Sequence, residues 1–143
     1  MTDFDAGSSA SIVSVTDKVR PISLRAPVTS AYFLAGQLIF VGAEENVFVV
    51  NGEAAPSAVA VHGGGILCSA SDGKRIVTGG DDGKLVAIDA KGKVETLATD
   101  AKRRWIDNVA LHPDGAVAWS AGKTAFVRDK SEAKSLEIGR AHV

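Results

Sequence analysis

Asp81 and Asp82 stand side by side in TGGDDGKLVAID, residues 78–89, and Asp89 closes the run. Adjacent carboxylates of this kind could ligate a cation, share a proton as an acid–base pair, or brace a turn. A calcium loop needs several more oxygen ligands spaced along the chain, and here Lys84 follows at once. An acid–base pair needs carboxylates converging on a substrate. The carboxylates of this chain instead sit in turn dipeptides: Asp72-Gly73, Asp82-Gly83 and Asp114-Gly115. Asp82 therefore reads as a turn residue, with Gly83 free to take a positive φ. Its carboxylate is expected to accept from local backbone N–H groups. Neither a metal nor a catalytic role is expected for it.

Other residues with chemical potential lead no further. SAGKT, residues 120–124, has the look of a phosphate-binding loop, but the required earlier glycine is Val117 and a strand follows instead of a helix. HGGGI, residues 62–66, lacks the third spaced glycine of a dinucleotide turn, because position 68 is Cys. His112 precedes Pro113-Asp114-Gly115 and reads as part of a turn. Lys102-Arg103-Arg104 is a short basic cluster beside Trp105, read as a solvated turn. Cys68 lies among small and apolar residues in GILCSAS, the setting of a buried, unreactive thiol. No His/Cys cluster has metal-ligand spacing, so no catalytic residue, cofactor or metal is expected.

The bulk composition excludes further classes. Formal net charge is −1 and 23% of residues are charged, so no field draws in nucleic acid or an anionic membrane. One cysteine allows no internal disulfide. The start, MTDFDAGSSASIVSV, lacks the basic and apolar regions of a signal peptide. A cytoplasmic location is the default expectation. The first ten residues, rich in Ser, Ala and Asp, are expected to be disordered.

The elements that must position these residues are strands. Apolar residues come in short runs rich in Val, Ile and Phe, such as QLIFVG (37–42), NVFVVN (46–51), RIVTGG (75–80) and KLVAID (84–89). Turn residues punctuate nearly all of them. No window carries clean helical periodicity, so no helix is expected. The strands repeat. The turn glycines Gly36, Gly73 and Gly115 lie 37 and 42 residues apart, and Asn51, Asp89 and Asp129 lie 38 and 40 apart. A period of about 40 residues carrying four short strands is the signature of a β-propeller blade. The expected fold class is all-β, a propeller fragment of about three four-stranded antiparallel blades.

Within this pattern His62 to Asp89 resembles a WD40 repeat. His62 begins it, with Val61 where the family has Gly. ILCSAS and the turn Asp72-Gly73 follow, then Thr78, the hairpin residue Asp82, and Ile88-Asp89 where the family has Trp-Asp. The resemblance implies a hydrogen-bonded structural tetrad of His62, Thr78, Asp82 and the residue at Ile88, which cannot donate a hydrogen bond. The flanking repeats are more degenerate. Gly42 is aligned with Thr78 in the first, with Asn46 near the hairpin and Val50-Asn51 at the close; Ser120 is aligned with Thr78 in the third, with Arg128-Asp129 at the close. The resemblance spans roughly residues 24–137. PQQ-like and lactonase-like propellers share the period.

The division expected is residues 1–10 disordered, 11–26 an N-terminal strand segment able to complete a last blade, 27–62 the first blade, 63–102 the second and 103–137 an incomplete third. The tail EIGRAHV is similar to a translated sequencing-library adapter, so residues 138–143 are read as non-native and the parent as a longer, seven-bladed propeller. Three blades fall short of the roughly four to eight of a closed ring, and open blade edges invite self-association. The expected function is a WD40-type, non-catalytic scaffold binding an unknown protein or peptide partner. Its candidate contact loops are AEEN (43–46), GDDG (80–83), AKRRW (101–105) and SAGK (120–123). The alternatives are a propeller hydrolase of lactonase type and a half-propeller that self-assembles.

Overall fold

The computed structural model describes residues 19–129 and 135–137. The expected disordered stretch 1–10, the adapter-like residues 138–143 and residues 11–18 of the N-terminal segment lie outside that range. Among the described residues every regular element is a strand. Three antiparallel sheets of four strands follow one another along the chain. The first holds β1 (Val28–Leu34), β2 (Gln37–Gly42), β3 (Asn46–Val50) and β4 (Ser57–Ala60). The second holds β5 (Ile66–Ser71), β6 (Arg75–Gly80), β7 (Lys84–Asp89) and β8 (Val94–Thr99). The third holds β9 (Ile106–Leu111), β10 (Val117–Ala121), β11 (Thr124–Arg128) and β12 (Ser135–Glu137). In each sheet spatial order follows chain order. These are the blades of a propeller fragment, as the period predicts.

Short β-branched runs form strands because their side chains pack well on both faces of a pleat. In the second blade both faces are buried: Ile76 through Gly80 in β6 and Leu85 through Ile88 in β7 are all buried. One of its faces turns to the first blade and the other to the third. The seam between the first two blades is Ile39, Val41, Val47 and Val49 against Ile76, Val86 and Ile88. The seam between the second and third is Val77, Leu85 and Ala87 against Val117, Trp119 and Ala121, with Phe126 and Leu111 at its border. Apolar surface removed from water in these seams stabilises the fold by about 25 cal/mol per Å².

The first strands β1, β5 and β9 lie side by side along one edge. Tyr32 and Ser69 hydroxyls meet at 2.8 Å between β1 and β5, and the Cys68 thiol of β5 donates to the Ile106 carbonyl of β9 at 3.4 Å. Each first strand opens with the same irregularity, a register shift after Val28, Ile66 and Ile106. Those three residues are 38 and 40 positions apart.

The ladders fix which residues correspond between blades. Thr78 pairs with Ser69 and Val86. Phe40 pairs with Ala31 and Phe48 in the first blade, and Trp119 with Val109 and Phe126 in the third. Phe40 and Trp119, not Gly42 and Ser120, therefore occupy the place of Thr78. Gly42 shares the face of Phe40 but lies at the hairpin end, where the ring of Phe48 passes so close that a Cβ would sit 3.0 Å from it. Ser120 lies on the opposite face, where its hydroxyl accepts from Asn108 at 3.2 Å. For Ser120 the cause is hairpin length: residues 81–83 join β6 to β7, while only Gly122 and Lys123 join β10 to β11. Dropping one residue there reverses the face of every position counted back through the turn.

The described part of the N-terminal segment, residues 19–26, forms no strand. It is tied down by Arg20, which donates to the Gly52 carbonyl at 2.8 Å, and the Pro27 carbonyl just after it accepts from Ala43 at 2.8 Å.

Candidate functional site

Up-and-down strand order sends the β2–β3, β6–β7 and β10–β11 hairpins and the β4–β5 and β8–β9 linkers to one end of the blades. All four candidate contact loops, AEEN, GDDG, AKRRW and SAGK, thus share that end. Asp72-Gly73 and Asp114-Gly115 lie at the other. There Asp72 accepts from the N–H groups of Lys74 and Arg75 at 2.9 and 3.0 Å, and Asp114 accepts from Ala116 at 2.9 Å. Gly73 and Gly115 have φ of 88° and 104°, so both turns need glycine. His112 belongs to the second turn, its Nδ1 accepting from the Asp114 N–H at 3.1 Å.

At the loop end, His62, Asp82 and Thr78 come together. His62 Nδ1 lies 2.9 Å from Asp82 Oδ1, and Nε2 lies 2.7 Å from Thr78 Oγ1. An ionised carboxylate only accepts, so Nδ1 carries the proton; in the neutral ring Nε2 then accepts from the Thr78 hydroxyl. Asp82 also accepts from the N–H groups of Gly63 and Lys84, at 2.9 and 3.1 Å. Burial raises the Asp82 carboxyl, but the Gly63 N–H, the His62 ring and the Lys84 N–H together outweigh it and hold it below its ordinary value. The network straps the β4–β5 linker to the β6–β7 hairpin. Gly83, with φ of 78°, lets the hairpin close, and a Cβ there would meet the Arg103 backbone at 2.8 Å. Ile88 does not join. It is 1% exposed in the apolar seam with the first blade and pairs across the ladder with Ile76.

Thr78, His62 and Asp82 have the layout of nucleophile, base and orienting acid. Thr78 is 0% exposed, however, and His62 only 6%. A nucleophile needs a substrate at its oxygen, and this hydroxyl faces protein on every side.

A second strap escaped the sequence. Asp100, 8% exposed, holds Arg104 with two bonds, Nε to Oδ2 at 3.0 Å and Nη2 to Oδ1 at 2.9 Å. Arg104 also donates to the buried Thr124 hydroxyl at 3.3 Å, and the N–H groups of Lys102 and Arg104 close on Asp100. The Arg104 side chain, against the cost of burial, holds the Asp100 carboxyl below its ordinary value. Of the basic cluster, then, only Lys102 and Arg103 are exposed, and Arg104 is a fastening. The readable signal was the acid four residues before the arginine, in a linker with no other acid. Trp105, next along the chain, is 63% exposed. The Cys68 thiol is half-buried and its pKa is raised to about 11 by burial, which makes it a poor nucleophile.

Among the described residues no three His, Cys, Asp or Glu side chains converge as a metal site would require. No described helix is long and apolar enough to cross a membrane.

No family model matches the chain, and no curated protein matches it in sequence. Its fold is similar to that of selenomethionine-substituted virginiamycin B lyase from Staphylococcus aureus, with a TM-score of 0.59 and 12% identity. The similarity covers 82% of this chain and 43% of the lyase chain. The chain therefore spans less than half the length of that propeller. The likeness supports the β-propeller architecture and carries no chemistry at this identity.

Proposed function

We propose that this chain is a non-catalytic interaction scaffold, a WD40-type propeller segment that offers its loop end to a protein or peptide partner. The observation that carries this reading is how the polar side chains at that end are used. His62, Asp82, Thr78, Asp100, Arg104 and Thr124 bond to one another and fasten linkers to hairpins. What they hold rigid is a set of exposed groups from all three blades: Glu44 and Glu45, Lys102 and Arg103, Trp105, and Lys123. A rigid frame with an exposed Trp beside Arg is the composition of a binding hot spot. The His–Asp–Thr strap is also what favours the WD40 type over other propellers, although Ile88 leaves the fourth place apolar.

The test is cross-linking capture of partners, repeated with Trp105→Ala and with Glu44→Lys. A partner lost in both variants, with unchanged melting temperature, supports the loop end as the binding face. Capture insensitive to both changes removes it. The enzyme alternative makes a separate forecast: a propeller hydrolase with a channel metal gains melting temperature on adding divalent cations, whereas the scaffold does not.

A further inference from the structure

The loop end is divided by charge along its two blade junctions. At the first, the β4–β5 linker lies on the β2–β3 hairpin: the N–H groups of Val61 and His62 donate to the Glu45 carbonyl, and that of Ile66 to the Glu44 carbonyl. Residues 43–46 and 61–65 contain no Lys or Arg, and the Glu44 and Glu45 side chains are exposed. The Asp81 carboxylate turns to this side as well, lying over Gly64 and Gly65, where a Cβ on Gly65 would come within 3.4 Å of it.

At the second junction the β8–β9 linker lies between two hairpins. The Asp100 N–H donates to the Gly83 carbonyl at 2.7 Å. Gly122 and Thr124 both flank the Arg104 side chain, so Lys123 between them is brought to the junction of Lys102 and Arg103. All three of these cations are exposed, as is Trp105. The acids of the junction are engaged, Asp82 with His62 and Asp100 with Arg104. The next exposed acid, Asp107, is a residue of β9 and accepts from Asn108 at 3.3 Å.

Arg103 is held in an unfavourable backbone conformation. Its φ is 56°, and among the described non-glycine residues only Ala35, at 49°, shares that region. Ala35 is explained by its hairpin, since Ala35-Gly36 is a two-residue turn between β1 and β2. Arg103 instead sits in a linker, its N–H donating to the Asp100 carbonyl at 3.0 Å. Gly or Asn would make that turn with less strain. An exposed residue that costs backbone strain motivates a role for its side chain.

We propose that the second junction takes an acidic peptide segment, its carboxylates on Lys102, Arg103 and Lys123 and an apolar side chain against Trp105. This rests on the loop end being the binding face and names the chemistry of what binds there. Arg offers a carboxylate a planar pair of donors, and an exposed Trp supplies apolar contact. Repulsion from Glu44, Glu45 and Asp81 keeps the acidic segment off the first junction and sets its position. A nucleic acid fits less well, because a longer polyanion would run over those same acids.

The experiment is fluorescence anisotropy of the full chain with a labelled peptide in which glutamates surround a single leucine. The comparison probes are the same peptide with lysine for glutamate, and an oligothymidylate. Only the glutamate peptide is expected to bind, more weakly as salt is raised. Arg103→Gly and Lys123→Glu are each expected to weaken it about tenfold. Arg103→Gly relaxes the backbone, so its melting temperature should be no lower than wild type. Lys91→Glu makes the same charge change in the β7–β8 turn at the other end and should leave binding intact. A glutamate peptide that does not bind overturns the proposal, as does equal binding of either comparison probe. Unchanged binding in Arg103→Gly, or equal loss in Lys91→Glu and Lys123→Glu, also overturns it. If the glutamate peptide fails while cross-linking capture is still lost in Trp105→Ala, the scaffold reading stands and only the partner's chemistry falls. Capture insensitive to both Trp105→Ala and Glu44→Lys removes the scaffold reading itself.

Discussion

Asp82 shows how a single carboxylate can be chemical in type and structural in use. It accepts from His62, Gly63 and Lys84, and removing it leaves those donors without their acceptor. Asp82→Ala is expected to cost about 1–3 kcal/mol, read from urea unfolding. Asp100 is the deeper group, 8% exposed and doubly bonded to Arg104. Asp100→Ala strands a cation in a partly buried place and is expected to cost about 3 kcal/mol. Both carboxyls titrate below their ordinary value of 3.8 in the folded chain. Their stabilising contribution is therefore complete above that pH, and it fades as pH falls through the lower folded value, because the unfolded chain takes up protons first. Melting temperature followed from neutral to acid pH should drop in that window. The drop should be shallower in Asp82→Asn, which cannot titrate.

At the scale of strands and seams, Gly79 has a role that its neighbours define. A Cβ there would lie 2.5 Å from the Ile106 carbonyl and 2.7 Å from the Cys68 sulfur. Gly79→Ala must push β9 away from β6, and is expected to cost about 1–3 kcal/mol by overpacking. The loss should appear as earlier hydrogen exchange in β9 and β10, with β2 and β3 unaffected. The strands themselves were legible in the sequence, since β-branched runs between Gly and Asp turns have few other structures open to them. The strap of His62, Asp82 and Thr78 was legible too, because its members lie within one repeat. What could not be read was anything set by hairpin length. Counting residues placed Ser120 beside Thr78 in type, but a shorter turn put Trp119 on that face. The Asp100–Arg104 strap left a signal in its four-residue spacing, but a basic triplet in a linker looks solvated until its acid is seen to be buried beneath it.

At the scale of the whole molecule, the described residues form three blades joined by two apolar seams. The two tryptophans divide the molecule optically along the same lines. Trp119 is 6% exposed and stacked in the seam, while Trp105 is 63% exposed at the loop end. Their emission should separate into a blue, quencher-resistant component and a red one that acrylamide extinguishes. A partner settling on the loops would shift only the red component, and loosening of the seam only the blue. The native chain thus carries two reporters, one for binding and one for folding, with no label added.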